Sequence, residues 1–298
     1  MIPETDVQSD LISLDDLNAM SATDFAACLG PVFENAPWVA TAAAALRPFA
    51  NLTALHKAML ADISALPAEA LGRFLRGHPR LSAETLRRGT TAESTVEQTA
   101  IGLDGLDTDL SARLETLNRA YEARFGFPFI LAVRKASLET LFATFERRLV
   151  ASPEAERAEA MAEVAAISWM RLLDRVRAAP TGSVSTHVLD TVRAAPAGGL
   201  AVELWRRESD GDMTRIVSFV TNENGACDGN LLEGGHLAAG TYEWRYDTPT
   251  YFARHGYATP ARTYLGTVQV AFTVWNPEEH FHVPLLLSPG SYTTYRGS

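Results

Sequence analysis

The sequence is poor in cysteine, has no excess of basic residues and contains no long apolar run. Cys28 and Cys227 are its only cysteines and lie far apart, so neither a disulfide framework nor a thiolate metal cluster is expected. The net charge of -10 argues against nucleic-acid or anionic-membrane partners, because phosphate binding needs clustered Lys and Arg. No uncharged segment reaches about 18 residues, and residues 1–6 lack a basic region before an apolar run. We therefore expect a cytoplasmic protein that neither spans a membrane nor is exported.

Glycine is scarce in the first 180 residues, where seven of the twenty glycines lie, and common afterwards. The length favours two domains. Before Pro180, Asp15 or Ser21 are candidate helix caps, and a helical spacing recurs near the end of this part. That apolar stripe comprises Met161, Val164, Ala165, Ser168 and Leu172. The sequence predicts an all-α domain over residues 1–179.

After a linker at residues 178–182, the apolar period changes from helical to alternating. Tyr242, Trp244 and Tyr246 alternate with polar residues, as does the segment 268–274, and turn-forming Asp-Gly, Asn-Gly and Gly-Gly pairs separate such runs. This pattern is typical of half-buried strands. The sequence predicts an all-β domain over residues 180–298, which we expect to be an antiparallel sandwich.

Three polar motifs of the helical part are candidates for chemistry. His78 follows a predicted helix end near Arg76 and precedes a proline that restricts its backbone, so the imidazole has a fixed direction. The alternative is a surface or capping histidine. Ser94, Glu97 and Gln98 share one helix face, although Ser followed by Glu three residues later also fits a capping box. Arg171 lies beside the apolar stripe of the last helix, where a buried guanidinium needs an anionic partner, unless it reaches solvent instead.

An aromatic segment, Phe-Gly-Phe-Pro-Phe-Ile at residues 125–130, completes the pattern. With His-Pro-Arg-Leu at 78–81 and Ser-x-x-Glu-Gln at 94–98, residues 10 to 178 resemble the 2-oxo-4-hydroxy-4-carboxy-5-ureidoimidazoline (OHCU) decarboxylases of urate degradation. The resemblance implies that His78 is the catalytic imidazole, assisted by Glu97, and that no metal or organic cofactor is needed. A general acid that delivers the final proton should have a pKa near neutrality. The implied substrate-binding residues are Pro79, Ser94, Glu97, Gln98, Ile130, Arg134 and Arg171.

Histidines dominate the candidate site of the β part. His187 lies in Ser-Thr-His-Val-Leu-Asp at 185–190, and His280 and His282 share one strand face. A zinc site and imidazoles hydrogen-bonded within the sheet are the two alternatives, but no cluster of Cys, Asp or Glu at a metal-binding spacing accompanies the histidines.

Residues 182–298 resemble 5-hydroxyisourate hydrolases, the transthyretin-like enzymes. The resemblance rests on the segment at 185–190, on residues 280–289 and on the terminal Tyr-Arg-Gly-Ser at 295–298. It implies that His187 and His282 activate water and that Tyr295 closes the pocket. It also implies an arginine where this chain has Ala226, and losing such a cation predicts a fall in rate of roughly 10² to 10³. Four other arginines are candidate substitutes: Arg193, Arg215, Arg262 and Arg296.

The combined resemblance predicts a bifunctional protein that hydrolyses 5-hydroxyisourate and decarboxylates the product to (S)-allantoin. An alternative is a decarboxylase whose β domain, impaired at Ala226, serves oligomerisation or ligand binding; a small-molecule carrier and a non-catalytic scaffold are further alternatives. The resemblance also implies a homo-oligomer, dimeric through the helical domain and tetrameric through the β domain.

Overall fold

Helices form the first part of the described chain and strands form most of the second. The computed structural model describes residues 11–82, 91–100, 102–135, 137–208, 211–257 and 264–297. The chain divides into two compact units between Arg177 and Ala178, called here the helical unit and the β unit.

In its described residues the helical unit has nine α-helices. They are α1 (Leu14–Ala19), α2 (Ala22–Leu29), α3 (Pro37–Ala43), α4 (Leu52–Ser64), α5 (Ala68–Arg76), α6 (Ala92–Ala100), α7 (Thr108–Phe125), α8 (Leu138–Leu149) and α9 (Pro153–Leu173). Short 3-10 turns lie at Gly30–Val32, Ala44–Leu46, Leu103–Gly105 and Val133–Lys135.

Serine caps begin several of these helices. The Ser21 hydroxyl accepts the backbone N–H of Asp24 at the start of α2, which confirms the predicted cap. The other candidate cap, Asp15, was wrong, because Ser13 caps α1. Asp15 lies in the first turn of α1, where its carboxylate interacts favourably with the positive end of the helix dipole. The end of α5 at Arg76 agrees with the prediction.

The predicted stripe of α9 faces the core of the helical unit. Val164, Ser168 and Leu172 are buried, and α9 packs against α4. Met161 and Ala165 are only partly buried, at the edge of the stripe. Packing of this amphipathic face, rather than helix propensity, stabilises such a helix, and it places Arg171 in the interior.

Within the residues described, the β unit contains ten strands and one helix. The strands are β1 (Ser183–Ser185), β2 (Val188–Asp190), β3 (Ala195–Pro196), β4 (Ala201–Arg207), β5 (Met213–Val220), β6 (Gly240–Tyr246), β7 (Val268–Val274), β8 (His280–His282), β9 (Leu285–Ser288) and β10 (Ser291–Thr294). The helix, α10, spans Thr248–Arg254.

The strands form two four-stranded sheets and one two-stranded pair, in the orders β5-β4-β6-β7, β10-β9-β2-β3 and β1-β8. Tyr242, Trp244 and Tyr246 are buried on one face of β6, as the alternation predicts. The expectation of purely antiparallel pairing was wrong, because β1 pairs with β8 and β2 with β9 in parallel. Nearly 100 residues separate the partners of each parallel pair. This is far more than the crossover connection between two parallel strands requires.

No helix in the described part of the chain is long and apolar enough to span a membrane.

Candidate active sites

A pocket in the helical unit gathers most of the residues predicted for the decarboxylase site. It has about 370 Å³ of unfilled space, part of it open to solvent. The predicted residues in its lining are His78, Pro79, Ser94, Glu97, Gln98, Ile130 and Arg171. Of the predicted set, Arg134 is not in the lining; it pairs with Asp174 at 2.6 Å and lies 3.4 Å from Glu97.

Arg171 is the centre of a buried ionic network. Its Nε and Nη2 donate to the two carboxylate oxygens of Glu97 at 3.0 and 2.8 Å, the bidentate geometry that suits a guanidinium. Its Nη1 donates to Glu34 at 2.9 Å, and its Nη2 also donates to the Ser94 hydroxyl at 3.1 Å. The alternative of a snorkelling arginine is therefore incorrect, because Arg171 is only 3% exposed and carboxylates pair with it.

Glu34 is the member of this network that sequence reasoning missed. It is 4% exposed and accepts hydrogen bonds from the hydroxyls of Thr91 and Ser94, both at 2.7 Å. Burial alone would raise the pKa of Glu34, but these hydroxyls and the charge of Arg171 outweigh burial and lower it. Glu34 belongs to no motif, and the only signal in the sequence is a lone carboxylate directly after the apolar Val32 and Phe33.

Ser94 lies inside α6 rather than at its cap. The helix begins at Ala92, and the Thr91 hydroxyl accepts the backbone N–H of Ser94 at 3.3 Å. The capping-box interpretation is therefore incorrect. The Ser94 hydroxyl instead joins Glu34 to Arg171, so the shared helix face points into the pocket.

His78 follows the end of α5 and is held through its backbone. Its N–H donates to the carbonyl of Leu75 at 3.2 Å, the Asn35 amide donates to the carbonyl of Gly77 at 2.7 Å, and the ring meets Phe74 edge to face at 5.3 Å. The Nδ1 atom is buried and has no hydrogen-bond partner among the described residues. A side chain fixed this firmly with an unused ring nitrogen is suited to meet a ligand.

Burial lowers the pKa of His78 to about 4, although the nearby Glu34 carboxylate acts in the opposite direction. The imidazole is therefore neutral at pH 7, and its pKa lies below the near-neutral value expected of the general acid. An anionic ligand at the imidazole would raise that pKa, because a neighbouring negative charge favours the protonated form. Gln98 Oε1, also buried and without a partner among the described residues, offers a further contact to a ligand.

Arg148 is fully buried and anchors the loop that lines the pocket. Its Nη1 donates to the carbonyl of Ile130 at 2.8 Å, and its guanidinium lies 4.6 Å from the Phe129 ring centroid. Its Nε donates to Glu156 at 3.0 Å, and the Tyr121 hydroxyl donates to the same carboxylate. The pocket wall thus depends on a second buried ion pair, between Arg148 and Glu156, which no sequence motif predicted.

His280 and His282 lie in β8 where it pairs with β1, and His187 lies near enough to affect the pKa of His282. The Ser185 hydroxyl lies between His280 Nε2, at 3.0 Å, and His282 Nδ1, at 2.8 Å. Desolvation, followed by the charges of His280 and His187, lowers the pKa of His282. The Nε2 of His187 is buried and has no partner among the described residues. In the described part of the chain, no group of three or more His, Cys, Asp or Glu side chains is arranged to hold a metal ion.

Ala226 lies directly across from His187, with which it forms an isolated antiparallel bridge. The preceding Gly225 has φ +74°, and a Cβ there would overlap the carbonyl of Val188, so glycine is required for this close approach. The structure therefore brings the position of the expected arginine to a catalytic candidate, and the side chain there is a methyl group.

The described candidate substitutes for that arginine all have other partners. Arg193 donates to the Tyr251 hydroxyl at 3.3 Å, Arg215 pairs with Glu203 at 2.8 Å, and Arg296 pairs with Glu279 at 2.7 Å. The fourth candidate, Arg262, lies outside the described residues.

The end of the chain is tied to His282. The N–H of Gly297 donates to the carbonyl of His282 at 2.8 Å, and a Cβ at Gly297 would overlap the His282 ring. Arg296 lies 4.4 Å from the centroid of the Trp275 ring. Tyr295, the predicted closing residue, is 56% exposed in the isolated chain.

Comparison with known families matches one family to each of the two units. A model of the OHCU decarboxylase family matches residues 18–173, and one of the HIUase/Transthyretin family matches residues 184–297. The chain belongs to both families. The prediction that one chain joins these two families is thereby confirmed, as is the order of a helical domain followed by a transthyretin-like sandwich.

Individual proteins resemble each part, and one solved structure resembles the whole. A 2-oxo-4-hydroxy-4-carboxy-5-ureidoimidazoline decarboxylase of Mus musculus is 42% identical over 163 residues, which are 54% of this chain and 92% of that protein. A 5-hydroxyisourate hydrolase of Halalkalibacterium halodurans is 44% identical over 118 residues, 40% of this chain and 99% of that protein. The crystal structure of an (S)-allantoin synthase covers 96% of this chain and 100% of its own, with 32% identity and a TM-score of 0.81.

Proposed function

We propose that the chain catalyses two successive steps of urate degradation. The β unit hydrolyses 5-hydroxyisourate to OHCU, and the helical unit decarboxylates OHCU to (S)-allantoin. The resemblance to an (S)-allantoin synthase along 96% of the chain supports the pairing of the two activities. We place the domains at residues 1–179 and 180–298.

The observation that carries the decarboxylase assignment is the combination of paired charges and unpaired acceptors in one pocket. Glu34 and Glu97 both pair with Arg171, whereas His78 Nδ1 and Gln98 Oε1 have no partner among the described residues. Buried polar atoms left unsatisfied are costly, so an OHCU molecule that supplied their hydrogen bonds would gain affinity.

The decarboxylation follows from the position of His78. When the bond to the carboxylate breaks, its electron pair moves into the ring and is accepted by the adjacent imine, so the step requires no metal or cofactor. The negative charge of bound OHCU raises the pKa of His78 from about 4, and the resulting imidazolium donates its proton to one face of the ring. Delivery to one face makes (S)-allantoin rather than the racemate.

The hydrolysis requires water activation near His187 and His282 and stabilisation of an oxyanion. The missing cation at Ala226 favours a second candidate function, in which the chain retains only the decarboxylase and the β unit is an oligomerisation or ligand-binding module. We favour hydrolysis because the histidine pair and the link between the chain end and His282 are both present.

An interface between copies of the chain accompanies this function. Val220, Tyr295, Tyr292 and Trp275 expose large apolar surfaces in the isolated β unit, Val220 to 62%. We propose a tetramer through the β unit, in which Tyr295 becomes buried near His282, and a dimer through the helical unit. Light scattering during gel filtration tests this: a monomer at micromolar concentration would exclude the assembly.

The decisive experiment supplies freshly prepared 5-hydroxyisourate and follows ring opening by absorbance and allantoin chirality by circular dichroism. We expect wild type to open the ring faster than the uncatalysed reaction and to form (S)-allantoin. His282→Ala should slow only the opening, and His78→Ala should abolish only the stereospecific decarboxylation. Ring opening at the spontaneous rate, together with rapid (S)-allantoin formation, would leave the decarboxylase-only function.

The Ala226→Arg variant tests the oxyanion argument separately. Restoring the cation should raise the hydrolysis rate by about 10² to 10³ and leave decarboxylation of supplied OHCU unchanged. Unchanged hydrolysis in a folded variant would show that this site does not rely on a cation at position 226.

A further inference from the structure

A continuous chain of hydroxyl and imidazole groups runs from β1 and β8 to His282. The Ser183 hydroxyl contacts His280 Nδ1 at 2.7 Å, His280 Nε2 contacts the Ser185 hydroxyl at 3.0 Å, and Ser185 contacts His282 Nδ1 at 2.8 Å. The parallel register creates this chain, because Ser183 lies opposite His280 and Ser185 lies opposite His282.

This series of hydrogen bonds, from Ser183 to His282, allows only two arrangements of its protons. A neutral imidazole carries one N–H, and the single Ser185 proton lies between two ring nitrogens. If Ser185 donates to His282, the proton of neutral His282 is on Nε2. If Ser185 donates to His280, that proton is on Nδ1. The direction of the chain therefore sets the tautomer of His282.

Ser183 decides the direction. It is 4% exposed, and its hydroxyl has no second hydrogen-bond partner among the described residues. If His280 donated to it, the Ser183 O–H would be buried without an acceptor, which is unfavourable. If Ser183 donates to His280, then His280 donates to Ser185 and Ser185 donates to His282. Ser183, His280 and Ser185 then each have an acceptor for their proton.

We propose that Ser183, His280 and Ser185 are positioning residues that hold neutral His282 with its proton on Nε2, making His282 the hydrogen-bond donor of the hydrolase site. The roles below rest on the hydrolase function proposed above. His282 Nε2–H donates to the substrate carbonyl oxygen, a role for which Ala226 supplies no cation. His187, which lies opposite Ala226 and whose Nε2 has no partner among the described residues, is the base.

The reaction balances with these roles. An O–H bond of water breaks as His187 takes the proton, the water oxygen bonds to the carbonyl carbon, and the carbonyl electron pair moves to the oxygen held by His282. The electron pair on that oxygen then re-forms the C=O bond as the ring C–N bond breaks. The C–N electron pair remains on nitrogen, and that nitrogen takes the proton from His187. His282 keeps its proton throughout, which is why its tautomer matters.

The tautomer can be measured without turnover by nitrogen-15 NMR of the histidine-labelled full chain, with the His282 signals identified from a His282→Gln sample. In wild type we expect the proton on Nε2. Ser183→Ala removes the terminal donor and should allow both tautomers, whereas Ser218→Ala, at an exposed serine of β5, should change nothing. A His282 proton on Nδ1 in wild type, or a spectrum unaffected by Ser183→Ala, would overturn the proposal.

Kinetics provide a second readout. Ser185→Ala should lower kcat for 5-hydroxyisourate hydrolysis about tenfold with little change in KM, and Ser185→Thr, which keeps the hydroxyl, should restore most of the rate. Equal losses in both variants would contradict a role for the hydroxyl. If wild type shows His282 with its proton on Nε2 but no hydrolysis, the proposed hydrolase function is wrong and the proposed tautomer is correct. If wild type hydrolyses the substrate with the His282 proton on Nδ1, the hydrolase function is correct and the proposed tautomer is wrong.

Discussion

Replacement of Glu34 by glutamine is the most discriminating test of the buried network in the helical unit. The carboxylate accepts three charge-assisted hydrogen bonds, from Thr91, Ser94 and Arg171. Such bonds are roughly twice as strong as neutral ones, so each should weaken by about 1 kcal/mol in Glu34→Gln. Because Arg171 keeps its pair with Glu97, we expect a loss of about 2–3 kcal/mol rather than the 3–5 kcal/mol of a fully broken buried pair.

Thermal unfolding of the full chain, followed by far-ultraviolet circular dichroism, measures this loss. At about 2–4 °C per kcal/mol for a unit of this size, the helical transition should fall by about 5–10 °C. The matched control is Glu69→Gln, because Glu69 makes an exposed pair with Arg73 and such pairs contribute under about 1 kcal/mol. Equal melting temperatures for Glu34→Gln and wild type would refute the inference that Glu34 anchors Arg171 as an anion.

The same variant predicts a pH dependence. The pKa of Glu34 is lowered in the folded chain from its ordinary value of 4.5, so the unfolded state binds more protons as the medium becomes acidic. The stabilisation by the charge is therefore complete above pH 4.5 and is lost as the pH falls through the lower native pKa. The stability gap between wild type and Glu34→Gln should narrow in that acidic range. A gap that widens there would contradict the sign of the shift.

Three further outcomes are expected. Arg148→Met leaves a buried carboxylate unpaired and should cost about 3–5 kcal/mol in urea unfolding, whereas Arg147→Met, at an exposed pair, should cost under about 1 kcal/mol. Gly297→Ala pushes a Cβ into the His282 ring and should lower hydrolysis by up to about 10²-fold while sparing decarboxylation. Burial lowers the pKa of His56 from 6.5 to about 4, so the unfolded state binds more protons between these pH values. The free energy of unfolding should therefore fall by up to about 1.4 kcal/mol for each unit by which the pH drops from 6.5 to 4. His56→Gln should reduce that pH dependence.

Each of these outcomes can fail in a recognisable way. Similar losses of unfolding free energy in Arg147→Met and Arg148→Met would mean that burial does not determine how much each ion pair contributes to stability. For the chain end, Gly290→Ala is the control, because a Cβ there meets no atom within 4 Å, and equal hydrolysis in both glycine variants would refute the steric argument. If His56→Gln leaves the fall in unfolding free energy between pH 6.5 and 4 unchanged, a group other than His56 causes that fall.

The parts of the fold that repeat locally were predictable. The 3.6-residue stripe of α9 and the alternation of Tyr242, Trp244 and Tyr246 each report which face of an element is buried. The parallel pairing of β2 with β9 was not predictable in this way, because the two strands are nearly 100 residues apart and no local period records which strand a neighbour will be. The antiparallel expectation failed for this reason.

The two candidate sites differ in the same respect. The sequence motifs identified His78 and Glu97, and the structure brings both to one pocket; their catalytic roles remain predictions. Glu34 could not be found, because its significance lies in a contact with Arg171 across 137 positions of the chain. The role inferred for Ser183 likewise depends on its position opposite His280 in a parallel pair.

The sequence by itself determined the order of a helical and a β domain, the two families and the absence of the expected arginine at position 226, since each depends on residue type, spacing or local period. Only the tertiary structure decided which charges are paired. Burial and long-range contacts set the neutral state of His78, the anionic anchor at Glu34 and the hydrogen-bond chain that ends at His282. These properties arise from the low-polarity surroundings that the fold creates, where an unpaired charge or proton donor is costly and its neighbours therefore fix its state.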